Sequence, residues 1–299
     1  MKTVIIGRGC VGATVMHNIY ENDEAFFLVD KAREYRTKSP IIFNGESLSC
    51  KTITERDSFA SDLIINTVKN YDLDSTIELM RPFVGPNTII MPLQNGIESE
   101  AVLSSAFGKD KVIYSFISGL SASREGSSIT SFTPGLITFG LDTEDQEKRV
   151  EKLRDYFSNT NQPFFVSPSI HHDQWVKFMT NTSFNTLSAL LGFNYGEIAN
   201  NQDVIRALRL VAREVQTVAL KENIVITQDD VENMIKSTLS LPPKGRSSML
   251  DDVINGRRTE NRWFCGSLSA LAKKHSIKTP YSDLLYILLE AKINERESD

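Results

Sequence analysis

Lys2-Thr3-Val4-Ile5-Ile6-Gly7-Arg8-Gly9-Cys10-Val11-Gly12 is the stretch whose reading decides the fold. A short β-branched run that ends on a glycine reads as a buried strand entering a tight turn. From Val11 to about Asn22, Val11, Val15, Ile19 and Tyr20 recur at helical spacing, and Asn22-Asp23 is a stop signal. Ala25 to Val29 is a second continuous apolar run, closed by Asp30. The result is a strand, helix, strand unit of about thirty residues. Within it Gly7, Gly9 and Gly12 hold the spacing of a dinucleotide-binding loop. One glycine serves the turn, one the close approach of a pyrophosphate, and one the packing of helix on strand. The helix N-terminal amides are expected to face the anion.

Working outward, Leu63 to Thr67, Leu73 to Phe83 and Thr88 to Met91 continue the alternation as strand, helix and strand, which implies a parallel, doubly wound sheet. Asn44-Gly45 is expected to be a turn between short extended segments, and Ser128 to Phe139 to fold back as a hairpin through Pro134-Gly135. Both would decorate the sheet edge. Gln146 to Phe157 is an amphipathic helix, and Phe164-Phe165-Val166 a last strand before Ser167-Pro168. Beyond Pro168 apolar residues fall at helical period almost throughout. Helices are expected at Ile170 to Leu191, Val204 to Glu222, Gln228 to Leu239, Glu260 to His275 and Tyr281 to Ile293, with Leu241 to Gly245 as a loop. The sequence therefore predicts an α/β chain. Residues 1–167 form an N-terminal Rossmann-type, doubly wound NAD(P)-binding domain, and residues 168–299 an all-helical substrate and catalytic domain.

Composition narrows the function classes. With 33 basic against 38 acidic residues and a formal charge of -5, there is no excess of positive charge to neutralise a phosphate backbone, so nucleic acid is not an expected partner. Three cysteines, Cys10, Cys50 and Cys265, are too far apart for a disulfide framework or a zinc cluster, and a reducing cytoplasm is the expected home. No apolar run approaches a membrane span, and the first one lacks the long apolar region of a secretory signal. His171-His172 lacks accompanying ligands at clear spacing and reads as a helix-start surface pair, so no metal is expected. Cys10 lies near a helix N-terminus, where a thiolate is favoured, but a small buried side chain is the commoner role, and no chemistry is assigned to it. The apolar C-terminal helices fit either a monomer or a homodimer.

Two signals conflict over the cofactor. Asp30 can accept hydrogen bonds from a free ribose, as in NAD binding, whereas Lys31, Arg33 and Arg36 can hold a 2′-phosphate; the balance leans to NADP. A second constellation follows the boundary. Lys177, Asn181 and Asn185 lie four residues apart and share one helix face, among Trp175, Phe178, Met179, Phe184, Leu187, Leu190 and Leu191. Burying such groups without partners is costly, so the stripe faces a ligand, a satisfied polar network or solvent. Ser247 and Ser248 read as donors at a helix start or as simple N-caps. Glu260 reads as the partner of a lysine or as a first-turn carboxylate facing a helix dipole.

Taken together, Gly7 to Gly12, Thr67-Val68-Lys69, Gln94-Asn95-Gly96, the Lys177, Asn181, Asn185 series and Ser247-Ser248-Met249-Leu250 with Glu260 resemble the 2-dehydropantoate 2-reductase, or ketopantoate reductase, family over essentially the whole chain. The resemblance implies that NADPH delivers hydride to C2 of 2-dehydropantoate while Lys177 acts as general acid, giving pantoate for pantothenate biosynthesis. It implies that Asn181, Asn185 and Ser248 hold the substrate and that Glu260 orients the lysine and substrate. It also implies that Gly7, Arg8, Gly9, Cys10, Val11, Gly12, Lys31, Lys69 and Asn95 meet the cofactor, with Asn95 near the nicotinamide. This chain departs from the family at Gly245, where better-known members carry a substrate-contacting asparagine, and at Thr186, where a proline usually follows the second helix asparagine. The alternatives are a reductase of the same family acting on another small 2-oxo acid, and a non-catalytic NAD(P)-binding sensor.

Overall fold

The computed structural model describes residues 1–20, 24–29, 40–48 and 50–296. In chain order the first part holds β1 (Thr3–Ile6), α1 (Cys10–Ile19), β2 (Ala25–Leu28), β3 (Ile42–Phe43), β4 (Glu46–Ser47), β5 (Lys51–Ile53), β6 (Leu63–Asn66) and α2 (Leu73–Met80). There follow β7 (Ile89–Pro92), α3 (Ser99–Phe107), β8 (Tyr114–Glu125), β9 (Ser128–Gly140), α4 (Glu147–Ser158) and β10 (Phe164–Ser167). All of β1 is buried, and its side chains alternate between two cores. Val4 and Ile6 pack with Phe26, Leu28, Ile64 and Ile90, while Ile5 packs with Phe27, Ile65 and Met91. A strand covered on both faces suits an all-parallel sheet, and the sheet that forms is parallel throughout, in the order β5-β2-β1-β6-β7. Ile5 stands opposite Phe27 on one side and Ile65 on the other. This is the Rossmann order, and its direction reverses beside β1, where ligands of such sheets bind at the carboxyl ends of the strands.

The remaining strands correct one expectation. Rather than decorating an edge, they form a second five-stranded sheet, ordered β10-β9-β3-β4 with β8 also paired to β9. Nor does the chain reverse at Pro134-Gly135. Pro134 pairs with Leu120 inside β9, and the turn is made by Gly126-Ser127, with Gly126 at φ +59°. On the other edge of β9, β3 pairs at Ser128 and Ile129 and β10 at Ile137 to Gly140, so Pro134 sits in the gap between them. Asn44-Gly45 does turn, joining β3 to β4 with both residues at positive φ. Ile117, Ile129, Ile137 and Phe139 of the second sheet join Ala13, Met16 and Ile19 of α1 in one core.

The chain divides into two compact units, the first comprising Met1–Gln94 and Glu98–Ile170, the second Asn95–Ile97 and His171–Asp299. Helices make up the second: α5 (Ile170–Thr180, its first residue still in the first unit), α6 (Thr186–Leu191), α7 (Tyr195–Ala199), α8 (Gln202–Lys221), α9 (Gln228–Leu239), α10 (Ser248–Ile254), α11 (Cys265–Lys274) and α12 (Pro280–Arg296). Trp175, Phe178 and Met179 of α5 pack against Ala212, Val215 and Val218 of α8 and Leu268 of α11. Between α5 and α6 the helix opens into one π-turn, Asn181–Asn185, where an unbroken α-helix is expected from spacing. The helix expected from Glu260 is also shorter, a 3-10 turn at Asn261–Trp263 preceding α11. Helix α7 has no counterpart among the expected helices, although Asn194 and Glu197 form a reciprocal capping box at its start.

Buried Glu214 of α8 starts the last helix. Its carboxylate accepts from Tyr281 N at 2.9 Å, Ser282 N at 2.8 Å and Ser282 Oγ at 2.6 Å. Replacing it with alanine leaves those donors buried without an acceptor. Glu214→Ala is expected to lower unfolding stability by about 3 kcal/mol, read from urea denaturation, because hydrogen bonds to a buried charge are the strong ones. A loss within the error of the extrapolation would show that this cap contributes little.

Candidate active site

Gly7 follows β1 at φ +105°, a conformation that side chains rarely adopt. Thr67, just past β6, fixes the loop from beside it, with Oγ1 donating to the carbonyls of Ile6 at 2.8 Å and Gly7 at 3.1 Å. A Cβ at Gly12 would collide with the Gly7 carbonyl and lie 2.7 Å from Thr67 Oγ1, whereas one at Gly9 would meet nothing within 4 Å. Gly12 is thus spent on packing and Gly9 on open space. Helix α1 starts at Cys10 with neither a side-chain cap nor an acid in its first turn. A helix start of this kind, without a competing side-chain carboxylate, fits an anion such as a dinucleotide pyrophosphate. Val11 is half-buried and directs no polar group at the loop. Lys69 caps the 3-10 turn Asn70–Asp72 and is half-buried. Gln94 donates through Nε2 to Asn66 Oδ1 at 2.8 Å and to the Val68 carbonyl at 3.2 Å. Its buried Oε1 has no hydrogen-bond partner among the described residues. Asp30, Lys31, Arg33 and Arg36, with the Asn22-Asp23 stop signal, lie outside the described residues.

In the second unit, the π-turn carries Asn181 and Asn185. Asn185 Nδ2 donates to Asn181 Oδ1 at 2.9 Å, so the two amides are joined as their spacing suggests. Asn181 is buried, and its own Nδ2 has no partner among the described residues. A buried amide donor without an acceptor is costly unless something else accepts from it. Half-buried Lys177 lies one turn earlier on the same face. π-turns inside helices are frequent at functional sites. Here Thr186 Oγ1 donates to the Asn181 carbonyl at 3.3 Å and Cys265 Sγ to the Thr182 carbonyl at 3.7 Å. The Thr186 hydroxyl therefore has a task at the position where the family usually places proline. Burial pushes the Cys265 thiol up to about 12, with the Thr186 hydrogen bond opposing, so it stays protonated and able to donate.

Glu260 is 3% exposed and caps the 3-10 turn, so it does not face the first turn of an α-helix. Its Oε2 accepts from Asn95 Nδ2 at 3.1 Å. Asn95 belongs to the helical unit together with Gly96 and Ile97, and a Cβ on Gly96 would lie 3.2 Å from the Trp263 carbonyl. Ser247 is the true N-cap of α10, accepting from Leu250 N at 3.1 Å and donating to Ser188 Oγ at 3.0 Å. Ser248 is exposed at the first helical position. A Cβ on Gly245 would come 2.7 Å from the Tyr195 ring, and Tyr195 is fixed by its hydroxyl donating to the Arg246 carbonyl at 2.6 Å. Tyr195 occupies the space a larger residue at 245 would need. Spacing alone gives no hint of this tyrosine; the capping box of α7 is the signal that places it.

Residues 3–143 match the family model described as Ketopantoate reductase PanE/ApbA, and residues 169–293 match Ketopantoate reductase PanE/ApbA C terminal. The chain belongs to the ketopantoate reductase family. The 2-dehydropantoate 2-reductase of Aquifex aeolicus is 27% identical to it over 302 residues, covering 98% of this chain and 97% of the relative. The ternary structure of D-mandelate dehydrogenase with NADH and anilino(oxo)acetate matches with TM-score 0.89 at 23% identity, over 99% of both chains. A dimeric ketopantoate reductase from Staphylococcus aureus matches with TM-score 0.83 at 20% identity, again over 99% of both. These two likenesses establish a shared fold, a Rossmann-type sheet followed by a helical domain. As a member of the family the chain is an oxidoreductase of the class that reduces 2-oxo acids with a nicotinamide dinucleotide.

Two outcomes follow from this geometry. Gly12→Ala is expected to abolish measurable nucleotide binding in calorimetry, since α1 must move off Gly7 to admit a methyl group; unchanged affinity would show that the loop tolerates the shift. His172 of α5 bonds Asp173 Oδ1 at 3.1 Å and Asp230 Oδ2 of α9 at 3.2 Å. Burial opposes its charge, but the two carboxylates outweigh burial and raise its pKa. The stabilisation is therefore complete below the unfolded value of about 6.5 and is lost as pH rises through the higher folded value. Melting temperatures of wild type and His172→Gln should differ most near pH 5–6 and converge in alkali; a gap that is constant with pH would refute the linkage.

Proposed function

We propose that the chain is an NADPH-dependent 2-dehydropantoate 2-reductase of pantothenate biosynthesis, acting in the cytoplasm, with residues 1–167 binding the dinucleotide and residues 168–299 the oxo acid. The observation that carries this reading is the buried Asn181 Nδ2, a donor lacking a partner among the described residues on the helix face that also bears Lys177 and Asn185. A carboxylate or carbonyl oxygen is the acceptor it lacks. When bound, the reduced nicotinamide supplies the hydride taken up by C2. Lys177 holds the proton at Nζ and passes it to the carbonyl oxygen as negative charge builds there, and the amine is reprotonated from water. Asn181, Asn185 and Ser248 bind and orient the acid. Glu260, held by Asn95, keeps the lysine and substrate in register. The backbone of Gly7, Arg8, Gly9, Cys10, Val11 and Gly12 seats the pyrophosphate, with Lys31, Lys69 and Asn95 as further cofactor contacts. The exposed row Tyr281, Leu284, Ile287 and Leu288 on α12 supports a homodimer.

Tyr195 favours a second reading, a same-family reductase of a different 2-oxo acid, because it fills the space beside Gly245. Purified protein with 2-dehydropantoate and a panel of branched and aromatic 2-oxo acids, each with NADPH and NADH, separates the two. Fastest turnover of 2-dehydropantoate supports the first reading, fastest turnover of another acid the second, and no turnover of any acid would sink both. Lys177→Ala is expected to lower kcat by about 10²–10⁴-fold with nucleotide affinity unchanged, the usual share of a general acid. Undiminished turnover would remove the lysine from the mechanism.

A further inference from the structure

Arg124 stands next to last in β8, and its guanidinium is held by two backbone carbonyls. Nη1 donates to the Arg8 carbonyl at 2.9 Å and Nε to the Gly126 carbonyl at 2.9 Å. The first bond ties the tip of the β8-β9 hairpin to the glycine loop itself. Arg8 in turn carries its guanidinium over the ring of Phe27 on β2, 5.8 Å from the centroid. Arg124 is its charged neighbour, and the neutral thiol of Cys50, directly before β5, lies beside it. Because β5 pairs with β2, the Arg8 side chain leaves the loop towards the β2-β5 half of the sheet, away from β6. In a Rossmann sheet that half receives the adenosine ribose, whose 2′ position decides between NAD and NADP.

The two guanidinium charges repel each other. Burial first, and then the charge of Arg124, weaken the hold of Arg8 on its proton. A doubly charged anion placed against both arginines turns the repulsion into two charge-assisted contacts, and the planar fork of arginine suits phosphate oxygens. The pyrophosphate already has the uncapped amides of α1.

We propose that Arg8 and Arg124 clamp the 2′-phosphate of NADPH and that Arg124 sets the preference for NADPH over NADH. The proposal rests on reading Gly7 to Gly12 as a dinucleotide loop. Its test is calorimetric titration of wild type, Arg124→Ala and Arg124→Lys with NADPH, NADH, adenosine 2′,5′-bisphosphate and adenosine 5′-monophosphate, with circular dichroism confirming that the variants fold. Arg124→Ala should weaken NADPH and the bisphosphate by about tenfold or more, as for loss of a charge-assisted pair, while NADH and the monophosphate change less than about twofold. Arg124→Lys should recover only part of the loss. Equal weakening of NADPH and NADH would make Arg124 a structural tie of the loop and overturn the proposal, as would no weakening of either. Failure of wild type to bind any of the four nucleotides would overturn the dinucleotide reading itself.

Discussion

Three backbone segments close on one another at Gly7, Gly12 and Thr67, and the first unit is organised around that contact. The Thr67 hydroxyl spans the carbonyls of two successive residues at the end of β1, and α1 approaches Gly7 so closely that no side chain fits at Gly12. Setting α1 at this distance decides what can lie on its other side. Ala13, Met16 and Ile19 meet Ile117, Ile137 and Phe139 of the second sheet, and Phe157 of α4 joins the same core. A helix displaced by the width of a methyl group would open voids along this layer, because close-packed interiors have no slack to absorb it. The same constraint sets the start of α1, which has no side-chain cap, directly after the loop.

The second unit is governed by a different constraint, the burial of amides on a helix that is otherwise apolar. Phe178, Met179 and Phe184 hold α5 and the π-turn within the helical core, so Asn181 is largely buried. Widening the helix by one residue shifts backbone carbonyls off their usual donors. A hydroxyl at 186 and a thiol at 265 serve the carbonyls of Asn181 and Thr182. Proline at 186 would keep a wide turn by lacking an N–H, whereas threonine keeps its N–H, which bonds Ser183 O, and adds a donor.

How much of this could be read from sequence depends on how local the deciding interaction is. The glycine loop was legible because strand, turn and helix follow within a dozen residues and each glycine answers a neighbour's steric demand. The Lys177, Asn181, Asn185 stripe was legible from period alone, but the π-turn beneath it was not, since it depends on what Thr186 and Cys265 do in three dimensions. Pro134-Gly135 misled because its turn chemistry is stronger than that of Gly126-Ser127. Pairing along β8 overrode it. The Asn95 to Glu260 bond joins residues 165 positions apart and leaves no periodic trace. The family resemblance assigns Ser248 to the substrate, whereas the cap geometry gives Ser247 the buried hydrogen bonds.

The same distinction separates reaction type from substrate. In the proposed reading, amides and a lysine meet what every 2-oxo acid carries, a carboxylate beside a carbonyl, so that stripe suits the whole class and cannot choose among its members. Choice requires a side chain that meets the substituent beyond C2. The family resemblance gives that role to position 245, and there the chain has a glycine covered by a fixed aromatic ring. An asparagine held for a hydroxyl penalises substrates that leave it unpaired, whereas an aromatic wall separates substrates only by shape and apolar contact, worth about 1–3 kcal/mol per methylene. An exchange of this kind widens tolerance more readily than it sharpens it. In the proposed reading, glycine at 245 bears on breadth of specificity and leaves the chemistry assigned to Lys177 untouched.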